Sequence, residues 1–168
     1  MPVVNPCLFQ CSTGELVPAA IEGETLILKR RGLVMDCKLA GPGKLSGKGD
    51  LFLTSHRLVF IATGSKSRQD FGSLSVSLSE LTEVPCFEQP IFGANYLRLS
   101  TADSFINLRF YEGGCGTFLP CLYQVYERRR DPSNSSVVMA IISGTSPVAF
   151  VDPNDPTTFY FSQPKLLI

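Results

Sequence analysis

The sequence predicts a mainly β fold of about seven antiparallel strands followed by one C-terminal amphipathic helix. Three observations lead there. Short branched and aromatic runs alternate with Gly, Pro, Ser and Asn punctuation from residue 22 to residue 111. Two-residue periodicity is clear at Leu74, Val76 and Leu78, at Leu97 and Leu99, and at Ile106, Leu108 and Phe110. The period then changes to three and four at Phe118, Leu119, Leu122, Val125 and Tyr126.

The first 21 residues carry Pro2, Pro6, Gly14 and Pro18 and read as an irregular N-terminal arm. The main domain runs from 22 to 131. Leu26, Ile27 and Leu28 begin a strand, Gly32 suggests a tight turn, and 33–39 reads as its hairpin partner. Residues 40–50, with five glycines and prolines, read as a loop. Residues 51–53 and 57–63 form a second hairpin about the Thr54-Ser55-His56 turn, and 64–70 is a polar loop. Residues 74–78 make a strand with a serine-bearing wet face. Residues 96–100 and 105–110 pair through a turn at 102–104, leaving Asn107 and Arg109 outward. Thr117 is a candidate helix cap, with Pro120 in the first turn and Arg128, Arg129 and Arg130 suiting the negative end of the helix dipole. Asp131-Pro132 ends it. The extension 132–168 holds apolar stretches at 137–142, 147–151 and 157–161, candidates for short strands packed on the domain.

With 168 residues and 44% hydrophobic content, the chain has enough apolar material for one packed core. Fifteen basic residues balance fifteen acidic ones, which excludes a uniformly basic nucleic-acid binder. No apolar run reaches membrane-spanning length, and the N-terminus lacks a basic start and apolar core. Cytoplasm or nucleus is the expected location, with Cys7, Cys11, Cys37, Cys86, Cys115 and Cys121 reduced.

No catalytic, cofactor or metal motif stands out. His56 is the sole histidine and reads as a surface or capping residue beside a turn. There is no GxSxG elbow, no GxGxxG after a strand, no phosphate loop and no CxxC. An enzyme is not expected, nor a cofactor.

Two constellations suggest binding. Lys29, Arg30 and Arg31, with Lys38, Lys44, Lys48, Lys66 and Arg68, gather basic charge near loops. They read either as ordinary solvated charge or as a patch for an anionic lipid, such as a phosphoinositide, or an acidic peptide. Residues 87–96 form an apolar loop containing Pro90, Ile91, Phe92 and Asn95. It reads either as a loop pinned into the core or as one that offers Phe92 to a protein partner.

The stretch Gln89-Pro90-Ile91-Phe92-Gly93-Ala94-Asn95-Tyr96 resembles the QPxFGANY segment of the WW domain-binding protein 2 family. A second segment, through Gly49, Leu53, Thr54, Arg57 and Phe60 with Phe52 at the tyrosine position, resembles the GxxYLTxxRxxF pattern of GRAM domains generally. The resemblance covers about residues 22–130. It implies a GRAM, pleckstrin-homology-like barrel or sandwich: two roughly orthogonal antiparallel sheets closed at one end by the helix. It further implies a non-enzymatic adaptor that binds a protein, with a phosphoinositide-binding membrane module or a transcription coactivator-like role as alternatives. The family's PPxY motifs are absent, so WW-domain binding is not expected.

Overall fold

The computed structural model describes residues 1–40, 43–64 and 71–131, the backbone of 149–152 and 155–161, and the Thr158 side chain. The expected candidates Lys66 and Arg68, the 64–70 loop beyond Gly64, and the stretch 137–142 lie outside the described residues.

The chain forms β1 (Val3–Val4), β2 (Leu8–Gln10), β3 (Leu16–Pro18), β4 (Leu26–Leu39), β5 (Lys44–Thr54), β6 (Arg57–Ala62), β7 (Ser73–Ser77), β8 (Cys86–Glu88), β9 (Tyr96–Thr101) and β10 (Ser104–Arg109). Then come α1 (Cys115–Arg130), β11 (Ala149–Asp152) and β12 (Asp155–Phe161). One antiparallel sheet runs in the order β1-β7-β6-β5-β4-β10-β9-β8, and β12 adds to β4. The two sheets implied by the resemblance are thus joined, and β4 is the joint. Its first half pairs with β5 and β12, and its second half with β5 and β10.

That joint corrects the expected hairpin at Gly32. The chain does not reverse there. Gly32 sits at φ +72, and the β4–β5 register shifts between Arg30 and Leu33. An extra residue in one strand bends it and increases its twist, which turns the sheet over its own core. The loop expected at 40–50 shrinks as well, because β5 begins at Lys44. Gly49 belongs to this strand for a steric reason. A Cβ there would fall on the Ile61 carbonyl oxygen and 2.7 Å from Phe60 Cζ.

Inward residues of both halves of the sheet meet in one cluster. Leu51, Leu53, Phe60, Leu74 and Val76 face Leu97, Leu99, Ile106 and Leu108, with Phe118, Leu122 and Val125 of α1 closing the cluster. The helix stripe read from the sequence is buried throughout. Its start is earlier than Thr117: Gly114 at φ 78 is the N-cap, so Pro120 lies beyond the first turn. No helix among the described residues is long and apolar enough to cross a membrane.

The arm expected to be irregular contains three short strands. β1 pairs with β7, and Asn5 Oδ1 accepts from the Gly72 and Ser73 amides at 2.8 and 3.1 Å. Ser73 and Ser75, expected to be wet, are buried, across from Ile61 and Val59 in the β6–β7 register. The β2–β3 hairpin places Leu8 and Val17 against Phe52, Val59 and Ile61, a small second cluster on the other face of β5 and β6. Strands buried on both faces read as continuous apolar runs, as residues 51–53 and 58–61 do.

Candidate functional site

β8 and β9 pair through Cys86 with Arg98, Phe87 with Leu97, and Glu88 with Tyr96, so residues 89–95 form the loop of a hairpin. The base of that hairpin is anchored. Phe87 packs against the core, Tyr123 of α1 donates its hydroxyl to the Pro85 carbonyl at 3.0 Å, and the Phe110 amide donates to the Asn95 carbonyl at 2.9 Å. The tip is bare. Pro90 is exposed, Ile91 and Phe92 are 93% and 91% exposed, and Gly93 at φ +108 takes a conformation that L side chains resist. Phe87, not Ile91 or Phe92, fills the core position. Ile91 and Phe92 are therefore not pinned into the core, and Asn95 is half-buried at the root of the loop.

The 29–31 cluster is not one surface patch, which corrects that expectation. Successive strand residues face opposite sides. Lys29 is 4% exposed beneath the β2–β3 hairpin, paired with Glu15 and with Asp50 at 2.9 Å, and lies 5.3 Å from the Phe52 ring centre. Arg30 is 1% exposed on the other side, donating to the Gly113 carbonyl and to the Arg31 carbonyl at 2.9 Å. Arg31 alone of the three is exposed, its guanidinium 3.8 Å from Glu15.

The GRAM-like segment turns out to be structural. Thr54 Oγ1 accepts from the amides of His56 and Arg57 at 3.1 and 2.9 Å and donates to Glu24 Oε1 at 2.6 Å. Arg57 holds the same carboxylate through two hydrogen bonds. Burial pushes the Glu24 carboxyl up, but Arg57, Thr54 and the Ile21 amide outweigh it and hold the group below its ordinary value. His56 Nδ1 lies 2.7 Å from Ser55 Oγ, which accepts from the Thr25 amide, so the imidazole is engaged in the turn. Burial pushes the Cys37 and Cys115 thiols up to about 11, far from the thiolate that a nucleophile needs.

Of the basic residues read near loops, Lys38 and Lys44 do come together, with Arg98, Phe105, Asn107 and Arg109, which the sequence reading did not connect to them. The six line one open groove on the outer face of the sheet. The alternation of β9 and β10 marks Arg98, Asn107 and Arg109 as outward, but only the cross-strand register brings them beside β4 and β5.

Compared with solved structures, the fold is similar to the Vps36 N-terminal PH domain, at 21% identity and a TM-score of 0.56, covering 73% of this chain and 92% of that one. The chain therefore has a pleckstrin-homology-like fold: an antiparallel sheet folded round a core, with one helix after it. The C-terminal domain of an unknown protein from Leishmania infantum also matches, at 18% identity and a TM-score of 0.42, covering 63% of this chain and 87% of that one. No family model and no curated protein matches the chain.

Proposed function

We propose that this chain is a non-enzymatic protein-binding adaptor of GRAM type, related to the WW domain-binding protein 2 family and working in cytoplasm or nucleus. Its partner contact is the β8–β9 loop. The observation that carries this reading is the near-complete exposure of two adjacent large apolar side chains, Ile91 and Phe92, at the tip of an anchored hairpin. An isolated exposed apolar residue means little, but an adjacent pair held out on an anchored hairpin loses solvent contact only against a partner. The pleckstrin-homology-like fold supports it too, since such a fold offers loops on a rigid sheet. The QPIFGANY stretch and the GRAM-like segment support the family relation.

The rival is a membrane module. Burial of Lys29 and Arg30 weakens the basic-patch form of it, because neutralising them would remove Lys29's internal ion pairs and Arg30's hydrogen bonds to carbonyls rather than surface charge. Arg31→Gln is the clean variant for that form. Affinity capture with the full chain should lose its specific protein partners in Phe92→Ala and Ile91→Ser while keeping them in Arg31→Gln. Partners retained by both loop variants, with native circular dichroism, would sink the loop assignment. Flotation with phosphoinositide vesicles that falls in Arg31→Gln and with added salt would favour the membrane module instead.

A further inference from the structure

The groove on the outer sheet face crosses β5, β4, β10 and β9. One row of outward residues reads Lys44, Lys38, Phe105, and the next reads Ser46, Asp36, Asn107, Arg98. Four strands at the usual spacing span about 14 Å, the reach of four or so extended residues. The groove encloses about 700 Å³.

Its charge is lopsided in a chain that is neutral as a whole. Lys38, Lys44, Arg98 and Arg109 line it, against one carboxylate, Asp36. Asp36 is already engaged. It pairs with Arg109, accepts from Ser46 Oγ at 2.7 Å, and lies 3.9 Å from Lys44 Nζ. Arg98 reaches Glu88 at 3.6 Å and the Tyr96 hydroxyl at 3.2 Å, at the edge of the groove. Lys38 has no ion-pair partner among the described residues, and the Lys44 side chain is 71% exposed. One further feature narrows the ligand: Phe105 stands 58% exposed, offering apolar contact.

We propose that this groove docks an acidic peptide segment of a partner protein. Carboxylates of such a segment pair with Lys38, Lys44 and Arg98, and an apolar side chain covers Phe105. A free inorganic anion answers the cations alone and leaves Phe105 unmatched. The contact is separate from the Ile91–Phe92 tip, so either can fail without the other.

The test titrates the full chain with a fluorescent glutamate-rich peptide carrying one leucine, and with its glutamine counterpart, at low and physiological salt. The acidic peptide should bind at least about tenfold more tightly than the glutamine one, and more weakly as salt rises. Lys38→Gln with Lys44→Gln should weaken it about tenfold, while Phe92→Ala and Arg31→Gln should leave it unchanged. Both lysines are exposed, so a matching thermal melt will show the double variant folded. Equal binding by the double variant, no preference for the acidic peptide, or phosphoinositide vesicles that bind and are not displaced by the peptide would each overturn the proposal.

Discussion

Glu24 and Arg57 lock the end of the N-terminal arm to the β5–β6 turn. Arg57 Nε donates to Glu24 Oε1 at 2.7 Å and Nη2 to Oε2 at 2.9 Å, on a carboxylate only 3% exposed. The same Nη2 donates to the Ala19 carbonyl at 2.8 Å, so one guanidinium gathers the arm's last turn.

Acid should loosen this lock. The folded-state carboxyl is held below its ordinary value of 4.5, so the unfolded chain binds the proton first. Its contribution is complete above the unfolded value and disappears as pH falls through the folded one. Melting temperature should therefore drop more steeply below about pH 4.5 in the native chain than in Glu24→Gln. Glu24→Ala, which leaves Arg57 buried without its carboxylate, should cost about 3–5 kcal/mol by denaturant titration.

Gly49→Ala should be among the most damaging single-methyl additions. The new carbon would fall on the Ile61 carbonyl, with Phe60 Cζ at 2.7 Å and Ala62 Cα at 2.9 Å. Two of those three neighbours are backbone, which cannot rotate away. A loss of about 3 kcal/mol is expected from overpacking, read as the shift in a urea midpoint at unchanged slope.

Thiol reactivity should divide the cysteines. Cys7 and Cys86 are exposed, whereas Cys37 and Cys115 are buried with their ionisation pushed up to about 11. Alkylation at mildly basic pH, followed by peptide mass spectrometry, should mark Cys7 and Cys86 first. Cys37 and Cys115 should react only in denaturant. Early labelling of Cys37 would contradict its place in the core.

Phe92→Ala should leave stability within about 0.5 kcal/mol, because a side chain 91% exposed makes few contacts to lose. Phe118→Ala, fully buried and 5.7 Å from the Phe110 ring centre, should cost about 3–5 kcal/mol. Paired thermal melts will separate the two.

The strands with clean alternation and the helix stripe were legible because burial alone writes those patterns: Leu97, Leu99, Ile106 and Leu108 inward, Phe118 and Leu122 beneath α1. Gly32 misled because a positive φ permits a bend as readily as a reversal, and the local letters do not distinguish them. Gly47 and Gly49 read as loop because glycine weakens strands in general, while here close backbone approach requires it at 49. β8 escaped notice at three residues. Lys29 and Arg30 carried the letters of a surface, yet their partners lie 14 and 83 residues away. The loop was legible as a choice between two fates, and the choice rested on which aromatic took the core. The groove was not legible, since it exists only in the register between β4, β5, β9 and β10.

The pairing of β12 with Leu28, Lys29 and Arg30 has a practical sequel. Without β12, half of β4 becomes a raw edge whose amides and carbonyls seek another strand. A chain cut after Asp131 keeps α1 and every strand from β1 to β10. It should nonetheless be the stickier molecule, prone to strand exchange between copies, and the guard of that edge is the distant tail that looks most dispensable.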